Sequence, residues 1–476
     1  MSAFGGLTRA VSTCALLGGA AITASQSNAA VTVSKAATQN MTCVSGVCTP
    51  TSQNAVLNVT DLKNLLASGN VQVNTGSGSL AQQVEDIVVS KGFSWTSASA
   101  LTLDAYRSVT FDAAVAVNGT GAVTLTTNDG GTNGLLWFGG KGRLSFLGTA
   151  NGLTINGTAF TLENSIVTLA NAIAANPGGA FALANNYVSQ GTYSTTPLGT
   201  LLTGIVDGLG NTISNLSLYS DKRGGGAVGL FNVVKPGGAI EHLRLTNLKI
   251  TETRDKNNDG IGGLVRDNEG LLFGDEVEGS IHAKQPTTII GGLAAASGGG
   301  GQIVNSFANV RIKGHGNAGG LVAVNEGPIS GSYATGSVTG GDAPVGGLVG
   351  INEASGDISN SYATGAVAGS SWLGGFVGQN GSTVETSYST GAVTGTQGSA
   401  GGFAGTGGVY TNCYWDTDTS GTAQGTGGGN VSGVTGLTTA QLLSGLPTGF
   451  DPTIWAENTM INAGFPYLIA NPPVKK

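Results

Sequence analysis

Charged side chains are scarce in this chain, and its sequence contains no run of basic residues. Only 10% of the 476 residues are Asp, Glu, Lys or Arg, and the formal net charge is -7. Nucleic acids and anionic membrane surfaces are bound mainly through clustered Lys and Arg. The composition therefore predicts no nucleic-acid partner, and the low charge suits a fold built from turns and uncharged ladders.

Histidine and the short motifs of common enzyme classes are nearly missing. The three histidines, His242, His282 and His315, are far apart in the sequence. The H-E-x-x-H motif, the phosphate-binding P-loop and the nucleophile elbow do not occur. We therefore expect no catalytic residues and no enzyme activity, and we interpret the histidines as solvated loop residues.

Cysteine is rare, with four residues in the whole chain. Cys43 and Cys48 flank a turn-like sequence, and neither a histidine nor a second cysteine pair lies nearby to complete a metal site. The pair therefore predicts a hairpin disulfide, which suits an exported protein. Cys413 has no evident partner, and we expect it to be a buried member of the column of aromatic residues described below.

Long apolar runs are confined to the start of the chain. Residues 1–29 combine Arg9, an apolar stretch at residues 11–22 and a small-residue site ending at Ala29, which predicts a signal peptide. No later stretch is long and apolar enough to span a membrane. We expect a mature chain without a transmembrane segment, secreted or held at a bacterial cell surface.

Glycine, in contrast, is abundant and periodic. The 82 glycines do not occur at every third position, which excludes collagen, and 40% hydrophobic residues argues against disorder. A Gly-Gly-Leu or Gly-Gly-Phe phrase returns every 27 to 29 residues. So regular a period indicates a repeat architecture. The phrase begins at Gly262, Gly291, Gly319, Gly346, Gly374 and Gly401.

A second phrase, typified by Asn-Ser-Tyr, occurs half a period later. Each repeat thus contains short apolar runs bounded by Gly, Asn, Ser and Thr, which predicts short strands between tight turns. A unit of this size cannot bury its own apolar face and must stack on its neighbours. The aromatic residues of the second phrase are Phe307, Tyr333, Tyr362, Tyr388 and Tyr414.

One turn of a coil for each repeat would place equivalent residues directly above one another. The sequence therefore predicts an all-β parallel β-helix with interior columns of Leu or Phe and of the aromatic residues. The paired glycines are expected to allow backbone geometry that other residues cannot adopt at a corner. A propeller is less consistent with the period, because its blades need roughly 40 residues or more. Stacked amides are expected to bond one another at Asn268, Asn325, Asn352 and Asn380, with Ser297 at the same phase.

These phrases, GGLVG followed by NSYATGAV, resemble the GLUG repeat of filamentous-haemagglutinin-like bacterial surface proteins and of some immunoglobulin A proteases. Residues 99–111 and 119–127 are similar, more loosely, to the N-terminal and shaft regions of filamentous haemagglutinins. The resemblance implies a right-handed parallel β-helix on the outside of a bacterium and an adhesive role. It implies no catalytic motif.

The chain divides into five segments on this interpretation. One short external helix is expected at residues 161–175, and the end of the chain is expected to cover the last open turn with Trp455, Phe465 and Tyr467. A further short helix is expected at residues 438–443. The segments are the signal peptide (1–29), an irregular haemagglutinin-like β-helix start (30–155), a helix-containing connector (156–203), the GLUG-repeat β-helix (204–430) and a C-terminal cap (431–476).

One loop resembles the first half of a calcium-binding EF-hand loop. Asp255, Asn257 and Asp259 have the alternating oxygen ligands of such a loop, but its twelfth position is Arg266 instead of glutamate. We expect no required cofactor and keep calcium as a candidate ligand. The surrounding residues 251–278 are the most charged part of the repeats, so an active groove would lie there if the chain were an enzyme.

The function expected from the resemblance is that of an exported adhesin-like scaffold. Its partners would be extracellular protein or glycan ligands, with an outer-membrane exporter as a further candidate partner. Two alternatives remain open at this point. One is a polysaccharide lyase or hydrolase on the same fold, and the other is a structural spacer without a ligand.

Overall fold

The strands of this chain stack into an all-β parallel solenoid, as predicted. Apart from three antiparallel pairs, the paired strands among the described residues are parallel, and each strand pairs with its equivalents in the neighbouring turns. The computed structural model describes residues 29–76, 84–220, 228–253, 260–286, 288–395, 399–428 and 431–473.

The longest sheet of the solenoid, called here the long sheet, has 16 strands among the described residues. It runs through both the irregular first part and the regular repeats, so the coil is continuous. In order, its strands are Met41–Val44, Val47–Pro50, Val71–Asn74, Leu101–Asp104, Val123–Thr126, Leu153–Ile155, Thr158–Glu163, Ala180–Leu183, Ile205–Asp207, Ala239–Glu241, Leu271–Phe273, Gln302–Val304, Ile329–Ser330, Ile358–Ser359, Thr383–Glu385 and Val409–Thr411.

A second sheet, the aromatic sheet, has 15 strands within the described ranges. Three long strands lie in its middle, and the three turns that follow, beginning at Tyr333, Tyr362 and Tyr388, each contribute two short strands in their place. Its strands are Tyr187–Val188, Thr192–Tyr193, Thr212–Ser214, Ser217–Ser220, Arg244–Glu252, Glu276–Ala283, Phe307–Lys313, Tyr333–Ala334, Val338–Thr339, Tyr362–Ala363, Val367–Gly369, Tyr388–Ser389, Val393–Gly395, Cys413–Asp416 and Val434–Leu437.

Two shorter sheets carry the paired glycines and the asparagines of the repeats. The first consists of Ile261–Gly262, Ile290–Gly291, Ala318–Gly319, Val345–Gly346, Leu373–Gly374 and Ala400–Gly401. The second consists of Phe231–Val234, Val265–Asn268, Ala294–Ser297, Val322–Asn325, Val349–Asn352, Val377–Asn380 and Ala404–Thr406.

The irregular first part of the coil has two further sheets of its own. One contains Leu136–Phe138, Val109–Phe111, Val84–Val89, Ala29–Ser34 and Ala55–Asn58, and the other contains Arg143–Phe146, Ala114–Val117 and Phe93–Trp95. A last antiparallel pair, Trp455–Ala456 with Tyr467–Leu468, lies near the end of the chain.

Three α-helices occur among the described residues, and two of them correspond to the helices predicted at residues 161–175 and 438–443. The helices are Val59–Ser68, Ile166–Ala175 and Thr439–Leu442, and a single 3₁₀ turn is formed by Asn462–Gly464. Each α-helix begins after a side chain that accepts a hydrogen bond from the first turn, at Asn58, Ser165 and Thr438. These caps fix where the helices start.

The helix Ile166–Ala175 packs on the outside of the coil as predicted, with one face exposed and the other buried. Ile166, Leu169 and Ile173 are buried in the larger hydrophobic core and are the first residues in sequence that contribute to it. The earlier helix, Val59–Ser68, buries Leu62 and Leu66 in a separate core formed by the first part of the chain. The solenoid therefore contains two cores in succession.

The paired glycines are required for space, and the prediction that they adopt a special backbone conformation is wrong. Neither Gly319 nor Gly320 has a positive φ. A Cβ on Gly319 would lie 1.9 Å from the carbonyl oxygen of Val322, and one on Gly320 would lie 2.0 Å from that of Gly347. The second glycine of each phrase thus lets successive turns approach closely.

The strand Val434–Leu437 of the C-terminal cap pairs with the last turn, but Trp455 does not cover that turn as predicted. The C-terminal segment, residues 438–473, takes a different course. It runs back along the side of the coil and covers the aromatic column from outside. Tyr414 Oη donates to the carbonyl of Thr448 at 2.7 Å, Trp455 Nε1 donates to Asn360 Oδ1 at 3.2 Å, and farther down Asn471 Nδ2 donates to the carbonyl of Gly331 at 3.1 Å.

Candidate functional site

The predicted calcium-binding residues Asp255, Asn257 and Asp259 lie outside the described residues. The charged surface expected around them does not form one groove in the part that is described. Lys235 pairs with Glu269 at 2.6 Å, and Arg266 pairs with its neighbour Asp267 at 2.8 Å. These pairs lie apart from Glu276, which belongs to the aromatic sheet, and the charges are therefore divided among separate faces.

The asparagine column forms a bonded ladder inside the coil. Asn325 Nδ2 donates to Asn352 Oδ1 at 2.8 Å, and Asn352 Nδ2 donates to Asn380 Oδ1 at the same distance. At the start of the column, Asn268 Nδ2 donates to Ser297 Oγ at 3.3 Å. Because these amides are buried, each bond removes a polar group that would otherwise be unsatisfied.

The aromatic column stacks in register, but it lies on the outside of the coil beneath the C-terminal segment. The rings of Phe307 and Tyr333 are 4.8 Å apart, those of Tyr333 and Tyr362 4.6 Å, and those of Tyr362 and Tyr388 5.2 Å. Tyr414 continues the strand register. The expectation of an interior aromatic column is therefore wrong, since alternate residues such as Ala334 point inward instead.

A serine column, which the sequence interpretation missed, follows the corner beside the aromatic residues. The backbone N–H of Ser306 donates to Ser332 Oγ at 3.2 Å, and that of Ser361 donates to Ser387 Oγ at 3.2 Å. Each hydroxyl donates in turn to the carbonyl two residues earlier. The recurring Ser of the Asn-Ser-Tyr phrase was the available signal. Cys413 takes this position in the last turn, so it does not belong to the aromatic column.

The two remaining predicted cysteines face each other across a hairpin. Cys43 and Cys48 are opposite residues of an antiparallel pair and are joined by a disulfide. The link lies at the outer end of the long sheet, far along the solenoid from the repeats.

His242 is buried, so the expectation of a solvated loop residue is wrong for it, whereas His282 and His315 are exposed. His242 occupies a corner with φ of 52°, where other turns have Asn, Gly or Thr. Its ring contacts Phe138 and Phe273 edge to face. This position places an ionisable ring between the two hydrophobic cores.

Both ring nitrogens of His242 have acceptors. Nδ1 lies 3.3 Å from Asp207 Oδ1, and Nε2 lies 2.9 Å from the carbonyl oxygen of Leu136. Burial by itself would lower the pKa of His242, but the charge and hydrogen bond of Asp207 outweigh it and raise that pKa. With two acceptors and no donor at its nitrogens, the ring fits the doubly protonated imidazolium.

Glu241 lies beside Asp207 in the long sheet and adds a second carboxylate to the cluster. Burial, together with the charge of Asp207, raises the pKa of Glu241 to about 7, while His242 opposes the rise. Asp275, in the next turn, is fully buried, and burial raises its pKa well above the ordinary value. Its Oδ1 accepts from the N–H of Leu243, while Oδ2 has no partner among the described residues.

Arg244 completes this junction between the two parts of the coil. Its Nη2 donates to the carbonyl of Phe138 at 2.8 Å, and its Nη1 donates to the carbonyls of Gly142 and Gly210. Its Nε pairs with Glu276 at 3.1 Å. The junction therefore joins segments about 100 residues apart in sequence through charged hydrogen bonds. No local sequence pattern predicts this connection.

The junction is also a group that could be tested as a metal centre. One ligand atom each from Asp207, Glu241 and His242 lies within 4.8 Å of the others. A cation would have to replace the proton shared by His242 Nδ1 and Asp207, because the other ring nitrogen already faces a carbonyl. Without a metal, both ring nitrogens of His242 already have partners in Asp207 and the carbonyl of Leu136. We therefore interpret it as a structural junction.

Comparison with known proteins gives one family match and a distant structural likeness. The GLUG motif family matches residues 345–368, and no curated protein matches the sequence. An IgA1 protease structure is 21% identical with a TM-score of 0.40, covering 52% of this chain and 20% of its own. A putative immunoglobulin A1 protease from Bacteroides ovatus is 19% identical with a TM-score of 0.41, covering 66% of this chain and 92% of its own.

Within the described ranges, the structure has no helix with the length and apolar character needed to cross a membrane. The GLUG motif occurs in extracellular bacterial proteins. Together with the parallel solenoid, the motif match indicates that this chain is similar to surface or extracellular repeat proteins.

Proposed function

We propose that this chain is an exported adhesin-like scaffold that binds host, cell-surface or glycan ligands through the outer faces of its β-helix. The observation that supports the proposal is the unbroken strand register. Outward side chains such as Thr339, Ala368 and Thr394 lie at equivalent positions of successive turns. The solenoid therefore presents rows of side chains roughly 4.8 Å apart along its axis.

The side chains inside the coil offer few groups that a ligand could contact. The Asn, Ser and aromatic columns are buried and hydrogen-bonded or stacked over several turns. Contacts with a partner would therefore come from the outer faces and turns. Because many weak contacts on one rigid body act together, such a surface reaches useful affinity without a deep pocket.

The test is to apply the purified protein to arrays of glycans and extracellular-matrix proteins, with and without millimolar calcium. Each polysaccharide that binds is then incubated with the protein and analysed for shortened or unsaturated products. We expect binding without cleavage. Cleavage products would replace this proposal with a carbohydrate-active enzyme, and the absence of any ligand would favour a structural spacer.

Calcium enters the proposal as a candidate ligand of Asp255, Asn257 and Asp259. If those residues bind it, calorimetric titration will show heat, and thermal stability will rise with millimolar calcium. Neither effect is expected in a variant with all three residues changed to Ala. Equal responses from both proteins would remove the site from the proposal.

A further inference from the structure

The three long strands of the aromatic sheet bring together basic residues that are scattered in the sequence. Residues of these strands alternate between the core and the surface, so every second side chain points outward. Lys249, Arg311 and Lys313 are all exposed on this surface, and His282 lies among them. We propose that this surface, called the cationic face, binds an extended carboxylate-bearing polysaccharide; this inference rests on the proposed extracellular function.

The strand register defines two neighbouring rows on the cationic face. One row has Lys249, Ser280 and Arg311 on successive strands. The next has Thr251, His282 and Lys313, two residues farther along each strand. Neighbouring strands are roughly 4.8 Å apart and alternate residues roughly 7 Å apart, so the cations occupy a compact surface.

The basic side chains are available to a ligand. None of the ion pairs found in the described part of the chain includes Lys249, Arg311 or Lys313. Glu278 is an acid on the same side of the central strand, one outward position before Ser280. Even with Glu278 included, the face is positive, although the whole chain has a net charge of -7. Residues 254–259 lie outside the described part and are not counted.

The pattern of side chains favours a sugar polymer with well-separated carboxylates. In one row the hydroxyl of Ser280 lies between Lys249 and Arg311, and in the other Thr251 lies beside His282. On the neighbouring strand Ser217–Ser220, Tyr219 is paired with Thr251 and is 39% exposed. An exposed ring can pack against a sugar, hydroxyls can bond its hydroxyls, and Arg can hold a carboxylate with two parallel bonds.

Nucleic acid and densely sulfated glycans are the competing polyanions. Both carry closely spaced charges and would favour an unbroken basic surface, and single strands would also favour several stacking aromatics. The cationic face has the hydroxyl of Ser280 between Lys249 and Arg311, and the exposed ring of Tyr219 lies at its edge. Its composition therefore fits a polymer with about one charge for each sugar.

The experiment measures binding of the purified protein to polygalacturonate and to the same polymer with its carboxylates methyl-esterified. Wild-type protein is compared at about 50 mM and about 300 mM sodium chloride. The test variant combines Lys249→Gln, Arg311→Gln and Lys313→Gln. Its matched control combines Lys35→Gln, Lys63→Gln and Lys141→Gln, which removes the same charge at exposed positions in the first part of the chain.

We expect polygalacturonate to bind, its ester to bind at least about tenfold more weakly, and high salt to reduce binding. The test variant should lose at least about tenfold in affinity, whereas the control stays within about twofold. Because all six side chains are exposed, thermal unfolding of both variants should match wild type. The salt dependence and the ester comparison need no variant and test the inference independently.

Three results would overturn the inference: equal binding of the ester, equal affinity of the test and control variants, or stronger binding of heparin or DNA than of polygalacturonate. If the array nevertheless shows neutral glycans or matrix proteins bound equally by wild type and test variant, the proposed extracellular function stands and this ligand assignment alone fails. Absence of every ligand on the array would remove both.

Discussion

At Gly320 the missing side chain is what lets two turns of the solenoid come together. The carbonyl of Gly347 and the methyl group of Ala334 occupy the space that a Cβ would need. In the last turn Trp415 takes the position that Ala308, Ala334 and Ala363 hold below it, and its ring closes the end of the larger core. Small residues thus set the narrow cross-section of the coil.

Replacing Gly320 with Ala should destabilise the repeats by about 2–4 kcal/mol, because backbone atoms of the next turn must move. Denaturant unfolding followed by circular dichroism measures the change. Gly299→Ala is the matched control, since no atom lies within 4 Å of the added Cβ. Equal stability of the two variants would show that steric exclusion is not why the repeat keeps its second glycine.

Glu241 makes stability depend on pH in a defined direction. Because burial raises its pKa from 4.5 to about 7, the folded state holds the proton more tightly than the unfolded state. Its contribution is therefore fully present below about pH 4.5 and falls as the pH rises to about 7. Asp207, His242 and Asp275 are the ionisable groups around it.

Glu241→Gln removes this titration. The melting temperature of the variant should therefore rise relative to that of wild type as the pH increases from about 5 to about 8. The gain corresponds to roughly 1–3 kcal/mol at the upper pH. Glu385→Gln, on an exposed position of the same sheet, controls for the loss of one carboxylate. A difference that does not change with pH would contradict the buried, proton-binding role.

At the scale of the element, the C-terminal segment is part of the side wall of the coil. Trp455 is fully buried against Tyr362, Tyr388 and Phe450, and Tyr388 Oη donates to the carbonyl of Pro466 at 2.6 Å. The segment therefore holds the aromatic column on the outside of the sheet, where an uncovered row of rings would otherwise face water.

Trp455→Ala should cost about 3–5 kcal/mol, since it leaves a cavity and removes a bond to Asn360. Hydrogen exchange should show faster exchange in the strands of Tyr362 and Tyr388, which the segment covers, than in the first core. Met460→Ala changes an exposed residue of the same segment and should have little effect. Uniform exchange throughout the chain in the Trp455 variant would instead indicate a single cooperative unit.

At the scale of the whole molecule, the junction at Arg244 and His242 adds to the continuous long sheet in joining the two cores. Substituting Met for Arg244 keeps an apolar stem but leaves Glu276 and several carbonyls without their partner. We expect a loss of about 3–5 kcal/mol and a split of thermal unfolding into two transitions, one for each core. Calorimetry measures this, with the exposed Arg311→Met as control. A single transition in the Arg244 variant would show that the cores remain coupled by other contacts.

Much of the repeat region follows from its period. Regular spacing of paired glycines, asparagines and aromatics was enough to place them in stacked columns, because one strand spacing separates each turn from the next. The path of the C-terminal segment could not be inferred in this way, since Asn471 and Gly331 are brought together by folding alone. Nor could the cationic face, because Lys249 and Arg311 become neighbours only through the register of three long strands.

The returning C-terminal segment also determines how the molecule bears a load. A pull on the chain near residue 473 acts first at the level of Gly331, through Asn471, and not at the last turn. A pull along the coil axis, directed away from the last turn, loads the contacts of the segment in shear. A tether that pulls in this direction would thus act on earlier turns of the stack before it acts on the final turn.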